Sequence, residues 1–137
     1  MKIPVKLEYA CRVLAQLAKT YPEGRVRRIE ELGTLEAISP NYLTQILSEL
    51  RHAGLVESKR GKDGGYLLAN PPEQISLLDI VEAIEGPLLE FAGEATGQSG
   101  ARAQGAWAKV FGSLSESLRG IPLTDLIKEE AEAMWHI

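Results

Sequence analysis

The 137-residue chain has little of the chemistry that catalytic and metal-binding proteins use. It contains one cysteine, Cys11, and two histidines, His52 and His136, which lie far apart in the sequence. A single cysteine excludes an internal disulfide and every multi-cysteine metal site, so we expect no structural metal and no cofactor. No Ser/His/Asp set, paired catalytic carboxylates, phosphate loop or redox cysteine pair is present, which argues against an enzyme.

Long apolar segments are also missing. No apolar run reaches the about 18 residues of a membrane span, and the N-terminus lacks the charged start and apolar core of a signal peptide. We therefore expect a cytoplasmic protein. The length suits one domain with a real core and leaves room for a dimerisation segment.

Charge is distributed unevenly along the chain. The net charge is −4, but residues 1–70 hold 11 Lys/Arg and 8 Asp/Glu, whereas residues 71–137 hold 4 and 11. The first part is therefore +3 and the second −7. Such asymmetry predicts a first half that faces nucleic acid and a second half that faces itself, a ligand or another protein.

A glycine-rich hairpin is predicted after Gly54, which has the form of a helix C-terminus. Branched and aromatic residues predict short strands over 56–60 and 66–69, joined by a loop at 61–65. Its tip carries Lys59, Arg60 and Lys62. These charges suit a phosphate backbone or a narrow minor groove. The alternative is a solvated hairpin whose lysines only keep an edge strand soluble.

An amphipathic helix is predicted just before this hairpin, with Ser39 as N-cap and Pro40 at the first helical position. Its buried stripe, at i, i+3, i+4 and i+7, consists of Leu43, Ile46, Leu47 and Leu50. Its outer face consists of Asn41, Tyr42, Thr44, Gln45, Ser48, Glu49, Arg51 and His52. Amide, hydroxyl and phenol groups near the helix N-terminus can contact base edges in a major groove.

These segments together resemble a known family. The stretches ISPNYLTQILSELRHAGLV, RGKDGGYLL and ISLLDIVEAIEG are similar to the IscR/NsrR/CymR-type repressors, the Rrf-two family of bacterial winged helix-turn-helix regulators. The match runs from about Lys6 to Gly86. It implies a mainly α fold with a small two-stranded β-wing, a winged helix-turn-helix domain and a long dimerisation helix. It also implies that Lys6 and Tyr9 steady the protein on the DNA backbone, although Tyr9 fits a half-buried core position equally well.

The expected DNA contacts follow from these segments. We predict base contacts from Asn41, Thr44 and Gln45, and a minor-groove contact from Arg60. Phosphate contacts are expected from Arg28, Tyr42, Arg51, Lys59 and Lys62, and Lys6 and Ser39 complete the predicted site. The cluster Arg25, Arg27 and Arg28 either approaches phosphates or forms a solvated rim.

Three further helices are predicted to be structural. The first, over about residues 4–19, should bury Tyr9, Ala10, Val13, Leu14, Leu17 and Tyr21. Cys11 flanks this stripe, where a thiol is usually an inert small hydrophobe rather than a sensor. The second, over about residues 28–35, contains Gly33, and Ala37 follows at a tight turn where glycine is common, which points to an altered turn. The helix after the wing has a Ser76/Asp79 capping box and should bury Leu77, Ile80, Val81 and Ile84.

We expect residues 1–86 to form the DNA-binding domain and 87–105 a flexible sensor-type loop. Four of the 18 residues from Leu88 to Gly105 are glycine, and the stretch has no periodicity. In cluster-binding members of the resembled family, three cysteines here hold an iron-sulphur cluster. This chain has none, and Glu8, at a position that sometimes contributes a ligand, cannot replace three thiolates, so we expect no cluster. The loop could bind another effector, contact a partner protein or be a remnant of the sensor.

Residues 106–137 are predicted to form a dimerisation helix and a C-terminal helix. The first, over 106–119, has an apolar stripe that consists of Trp107, Val110, Phe111, Leu114 and Leu118. The preferred partner of this stripe is a second copy of the chain, although Trp107 could instead line an effector pocket. The C-terminal helix, from about Leu123, would present Leu126, Ile127, Ala131, Met134 and Trp135.

The sequence thus predicts a homodimeric regulator, most simply a repressor, that binds double-stranded DNA at a palindromic operator with half-sites about 10 base pairs apart or a multiple of this. The alternative is a winged-helix module for protein-protein interaction, since such folds also serve that role. A small-molecule or protein effector is possible in either case.

Overall fold

The computed structural model describes residues 1–128, which form five α-helices, one two-stranded sheet and three short 3-10 helices. The helices are α1 (Val5–Lys19), α2 (Ile29–Glu36), α3 (Pro40–His52), α4 (Leu77–Glu85) and α5 (Gly100–Arg119). The strands are β1 (Val56–Lys59) and β2 (Gly65–Leu68), and the 3-10 helices are Tyr21–Glu23, Pro72–Gln74 and Leu123–Ile127. The predicted contributions of Ala131, Met134 and Trp135 lie outside the described residues. No described helix is long and apolar enough to cross a membrane.

The core is built around α1, where Ala10, Val13, Leu14 and Leu17 of the predicted apolar stripe are buried and Leu7 and Ala18 join them. Tyr9 and Tyr21 are only half-buried and pack at the edge of the core. The stripe on α3 is confirmed in full, since all four of its predicted residues are completely buried. The core therefore joins α1 to the face of α3 that points away from solvent.

Both ends of α3 form as predicted. The hydroxyl of Ser39 accepts a hydrogen bond of 3.4 Å from the backbone N–H of Tyr42, and Pro40 occupies the first turn. At the other end Gly54 has a φ of 80°. The N–H of Gly54 donates to the carbonyl of Arg51, and that of Leu55 to Leu50, both at 3.0 Å. This pair of bonds satisfies the last carbonyls of the helix and turns the chain directly into β1.

The predicted wing is confirmed. Strand β1 ends one residue earlier than predicted, and β2 begins and ends one residue earlier. Val56 lies opposite Leu68 and Lys59 opposite Gly65. A third backbone segment joins this hairpin, because Arg27 and Tyr66 exchange two hydrogen bonds of 2.8 Å. A Cβ at Gly65 would lie 2.4 Å from the carbonyl oxygen of Arg27. Only glycine permits this close approach of the two backbones.

The turn between α2 and α3 explains two unusual features of the sequence: a glycine within α2 and an alanine at a turn where glycine is common. Gly33 is buried, and a Cβ there would lie 2.8 Å from the carbonyl oxygen of Ile38. Ala37 has a φ of 57° and a ψ of 47°, the left-handed conformation that glycine adopts at such turns. The turn is therefore made with alanine, at a conformational cost of roughly 1 kcal/mol or more.

The helix α4 has the predicted capping box, in which Asp79 N–H donates to Ser76 Oγ at 3.2 Å and Ser76 N–H to Asp79 Oδ2 at 2.9 Å. Its buried face was only partly predicted. Leu78 is buried with Ile80 and Ile84, whereas Leu77 and Val81 are half-buried. The predicted face was wrong at these two positions because they line a groove beside α1 that no described element fills.

The helix α5 begins at Gly100, six residues earlier than the predicted start at residue 106. The intervening residues Ala101 to Gln104 include strong helix formers, which outweigh the cost of about 1 kcal/mol for a glycine such as Gly105. No residue of α5 is fully buried. This helix therefore lies outside the core that α1 to α4 form.

Replacing Ala37 with glycine should stabilise the protein by roughly 0.5 kcal/mol, because relief of the left-handed strain, about 1–2 kcal/mol, exceeds glycine's extra unfolded-state entropy, about 0.4–1 kcal/mol. Urea unfolding of the two proteins measures the difference. The matched control is Gly33→Ala, in which the new methyl group meets the Ile38 carbonyl and should destabilise the same turn. If Ala37→Gly were no more stable than the parent, strain at this turn would be disproved.

Candidate nucleic-acid interface

The first two turns of α3 present polar side chains to solvent. Asn41, Thr44 and Gln45 are all exposed, as predicted for residues that reach base edges. The Thr44 hydroxyl donates to the Pro40 carbonyl at 2.9 Å, which leaves its oxygen free to accept. The amides of Asn41 and Gln45 make no hydrogen bond to any other described residue. Amide groups so placed can donate to and accept from an adenine edge at once.

Positive charges surround the tip of the wing. Lys59, Arg60 and Lys62 are exposed, and none forms an ion pair within residues 1–128. Arg28, at the start of α2, reaches the same tip and donates from Nη1 to the Lys62 carbonyl at 3.3 Å. Arg51, at the end of α3, donates from Nη1 to Ser58 Oγ at 3.4 Å. The wing, with Arg28 and Arg51 in contact with it, thus presents one largely cationic surface, in which Asp63 is the exposed carboxylate at the tip.

Arg27 does not belong to this surface, so both roles predicted for it, a phosphate contact and a solvated rim, were wrong. Its residue surface is 3% exposed. Its Nε donates to Glu31 Oε1 at 2.6 Å, and its Nη1 donates to the Gln16 carbonyl at 2.7 Å. The hydrogen bond from Arg27 holds the pKa of the Glu31 carboxyl below its usual value. The sequence contained one signal, since arginine and glutamate four residues apart often pair at a helix start.

Lys6 lies against α3, but its charge has a partner there. Its ammonium is 3.0 Å from Glu49 Oε1, and both side chains are about two-thirds buried, with 28% and 33% of their surfaces exposed. The second carboxylate oxygen of Glu49, Oε2, is buried and has no hydrogen-bond partner among the described residues. The predicted phosphate-contacting lysine is therefore held beside a carboxylate.

Tyr42, another predicted phosphate contact, is half-buried and packs on α1. Its ring meets that of Tyr9 edge to face, with centroids 5.6 Å apart and an angle of 64°. The guanidinium of Arg12 lies 4.8 Å from the centre of the Tyr9 ring. The position of Tyr42 on α3 is thus fixed by an aromatic and cation-π stack that begins on α1.

Arg12 also fastens the end of α2, a role that the sequence did not reveal. Its Nε donates to Glu36 Oε1 at 3.1 Å, and its Nη2 donates to the Glu36 backbone carbonyl. Gln16 donates to the other carboxylate oxygen of Glu36 at 2.6 Å. These partners are 20 and 24 residues apart in sequence, and no local spacing indicates them.

The donor groups do not fit an iron-sulphur cluster. The chain's single thiol, Cys11, is half-buried on α1, and burial, with a smaller effect from Glu8, raises its pKa. Clusters require several thiolates, and the segment between α4 and α5 contains no cysteine. Within residues 1–128 no three His, Cys, Asp or Glu residues lie close enough together to hold a metal ion.

The predicted dimerisation residues share one side of α5. Trp107, Val110 and Leu114 are 54%, 56% and 39% exposed. Phe111 and Leu118 are half-buried on the same side. Large apolar side chains so exposed, over a helix that buries nothing fully, indicate a contact surface.

Known proteins resemble this chain in sequence over most of its length. The profile of the Rrf2 family, described as iron-dependent transcriptional regulators, matches residues 3–129. The HTH-type transcriptional regulator IscR of Cereibacter sphaeroides is 38% identical over 138 residues, covering 95% of this chain and 89% of that protein. Two Mycobacterium tuberculosis proteins are 43% identical over 88 residues, which cover 64% of this chain and 54% of each of theirs. The chain thus spans about half the length of these mycobacterial relatives.

Solved structures agree with the fold. CymR of Bacillus subtilis, described as its global cysteine regulator, superposes with a TM-score of 0.78 at 31% identity, covering 93% of this chain and 96% of CymR. IscR of T. potens superposes with a TM-score of 0.75 at 34% identity, covering 96% and 90%. By family profile, sequence identity and winged-helix architecture, this chain belongs to the Rrf2 family, whose members are DNA-binding transcriptional regulators and not enzymes.

Proposed function

We propose that this protein represses transcription in the bacterial cytoplasm by binding a palindromic operator as a homodimer, without an iron-sulphur cluster. The observation that carries the proposal is the presence of two uncommitted polar surfaces. The exposed amides on the first turns of α3 make no hydrogen bond within residues 1–128, and the exposed wing cations form no ion pair there. Hydrogen-bonding groups that read bases and charges that bind phosphate are the two components a sequence-specific DNA-binding surface needs.

The helix α3 would lie in the major groove with its N-terminal turns towards the bases. Asn41 and Gln45 suit adenine, because a carboxamide can pair with its N6 and N7 together. The Thr44 oxygen would accept a hydrogen bond, or the Thr44 methyl group would contact a thymine methyl group. Each bidentate base contact would contribute about 1–3 kcal/mol of discrimination against the wrong base. Ser39, whose oxygen caps α3, can still donate its proton to a phosphate.

The wing would enter the adjoining minor groove with Arg60 foremost. A guanidinium is attracted by the stronger negative potential of a narrow groove, so Arg60 would favour A·T-rich steps there. Arg28, Arg51, Lys59 and Lys62 would neutralise phosphates on either side. Their contribution would be independent of sequence and would fall as salt rises.

A second copy of the chain would complete the regulator. The exposed apolar side of α5 supports this, since two-fold dimers are the commonest closed assemblies of soluble proteins. Two copies of α3 related by a two-fold axis require half-sites about one helical turn, or ~10 base pairs, apart or a multiple of this distance. The operator would then be an inverted repeat.

The proposed absence of a cluster sets this chain apart from the family's description as iron-dependent. One half-buried thiol with a raised pKa is a poor ligand, and it is the chain's only thiol. A regulator without a cluster needs a different signal. The glycine-containing segment 87–99, which is mostly exposed and joins α4 to α5, is the proposed place for an effector or a partner protein to act.

Arg60→Ala and Lys62→Ala should weaken operator binding in different ways. Loss of Arg60 should reduce affinity most where the minor groove is narrow, and so relax sequence preference there. Loss of Lys62 should weaken all DNA alike and reduce the slope of log K against log salt by about 0.9, one phosphate contact. Fluorescence anisotropy on an operator and a scrambled duplex, across a salt series, measures both effects.

Lys128→Ala, at the far end of the described chain, provides the control and should bind both duplexes as the parent does. If Arg60→Ala kept the parent's affinity for every duplex, the wing would not contact DNA. If the parent itself showed no salt dependence, the DNA-binding proposal as a whole would fail.

Glu49→Gln should increase DNA affinity several-fold, because it releases the Lys6 ammonium to a phosphate and removes a negative charge from α3. The salt slope should steepen by about 0.9. The double variant Lys6→Met/Glu49→Gln separates the two causes. If it kept the full increase, Glu49 would simply repel DNA, and Lys6 would have no part in binding.

A further inference from the structure

The tip of the wing is a tight turn with a defined geometry. The backbone N–H of Gly64 donates to the carbonyl of Gly61 at 3.0 Å, which closes a four-residue β-turn. Lys62 and Asp63 are the two central residues of this turn. A Cβ at Gly64 would lie 2.9 Å from the Gly61 carbonyl oxygen and closer still to that of Lys59, so only glycine fits there. The turn therefore holds Lys62 and Asp63 at the outer end of the hairpin.

Asp63 is the one carboxylate of this tip, and it has no partner within residues 1–128. It is exposed, and its side chain forms no hydrogen bond or ion pair with any described residue. Aspartate often occurs in turns because its carboxylate accepts a hydrogen bond from the nearby backbone. The Asp63 side chain makes no such contact, so the structure of the turn does not account for it. A ligand outside the hairpin is left as the group that this carboxylate can meet.

We propose that Asp63 reads the floor of the minor groove and selects a G·C pair there. This inference rests on the proposed function, in which the wing enters the minor groove, and adds a second residue to the sequence preference of the wing. Arg60 would recognise a narrow groove. Asp63 would accept a hydrogen bond from the exocyclic amino group of guanine.

The chemistry of the minor groove makes a carboxylate selective. A·T and T·A pairs present only acceptors there, adenine N3 and thymine O2, whereas a G·C pair adds the 2-amino donor of guanine. An ionised carboxylate can only accept hydrogen bonds. Asp63 would therefore find a partner at a G·C pair and only repulsion at an A·T pair. Lysine, arginine and amide side chains can donate to the acceptors of every pair, so their hydrogen bonds do not make this distinction.

The charges around Asp63 allow a carboxylate to approach DNA. Three cations accompany it in residues 59–64, namely Lys59, Arg60 and Lys62, and this segment keeps a net charge of +2. Arg28 adds a guanidinium at one side, through its hydrogen bond of 3.3 Å to the Lys62 carbonyl. Attraction of the tip to phosphates would thus exceed the repulsion of its single carboxylate. Where the groove lacks a guanine, that repulsion has no compensating hydrogen bond.

Asp63 would raise specificity by weakening the wrong complexes. Discrimination is a difference between two affinities, and an unpaired charge facing the wrong sequence contributes to it as much as a new contact with the right one. Non-specific DNA would leave the carboxylate without a donor, whereas the operator would supply the guanine amino group. The operator should therefore carry a G·C pair beside the A·T-rich step that Arg60 occupies.

Inosine tests this inference, because it lacks the 2-amino group of guanine and keeps the O6 and N7 that face the major groove. The probe is the inverted repeat that the parent protein selects from genomic fragments. Each G·C pair of this duplex is replaced in turn by I·C, and fluorescence anisotropy at one salt concentration gives the affinity. For the parent, replacement of the pair under the wing should weaken binding about 10-fold, the effect of one hydrogen bond to a charged group.

Asp63→Asn shows whether this loss depends on the carboxylate. An amide both donates and accepts, so the variant should bind the G·C and I·C duplexes with affinities within about 2-fold of each other. Because the Asp63 side chain contacts no described residue, the variant should keep the fold. The matched control is Glu57→Gln on β1, which removes the same charge from an exposed position of the hairpin outside its tip. This control should retain the parent's loss on the I·C duplex.

If Asp63→Asn strengthened binding to both duplexes equally and so kept the parent's discrimination, the carboxylate would only repel phosphates and the inference would be wrong. It would also be wrong if no inosine substitution weakened the parent, or if Glu57→Gln removed the discrimination as well. In all three cases the selected operator would still establish a sequence-specific regulator. A parent that selects no sequence would instead overturn the proposed function, and with it the role of Asp63.

Discussion

The packing of α1 against the helix-turn-helix is the constraint on which the rest of the structure depends. Its buried face supplies six core residues, and its polar side chains position the elements that would face DNA. Arg12 holds the end of α2 through Glu36, while Lys6 and Tyr9 reach α3 through Glu49 and Tyr42. Hydrogen bonds and ion pairs of this kind, partly shielded from water, add less to stability than the core does. They do fix orientation, and orientation decides which side chains of α3 reach a groove.

Arg27 and Arg60 have different roles in the wing, one structural and one proposed for DNA binding. Arg27 is buried and ties the start of α2 to α1 through Glu31, the Gln16 carbonyl and Thr20, while its backbone pairs with the hairpin. The close passage of Gly65 over that backbone makes the hairpin effectively three-stranded at the end next to its loop. Because these contacts hold the wing, the charges at its tip need not serve stability and are free for a ligand. These contacts hold the backbone of the hairpin whose loop carries Arg60.

Much of this architecture follows from local signals in the sequence. The Ser39 cap, the stripe of α3, the turn at Gly54 and the Ser76/Asp79 box are set by residues within one or two turns of one another, and each is confirmed. Errors arose where distant segments decide the outcome. Arg27 is buried because α1 passes beside it, and Leu77 and Val81 are half-exposed because α5 leaves the groove beside them open. The clamp from Arg12 to Glu36 has no local signature at all. The helix α5 begins earlier than predicted because Ala101 to Gln104 are strong helix formers, whose propensity outweighs that of the two glycines flanking them. Base and phosphate contacts for individual residues remain predictions, since they depend on a molecule that the fold alone does not supply.

The central claim is that α3 and the wing together recognise a specific inverted repeat. Selection of bound fragments from the source genome by the full-length parent protein, at near-physiological salt, tests it most directly. The account predicts enrichment of a short inverted repeat whose half-sites lie about one helical turn, or ~10 base pairs, or a multiple of it apart. Neighbouring genes would then indicate what the regulator controls. Recovery of fragments without any preferred sequence, from protein shown to be folded and dimeric, would contradict the claim.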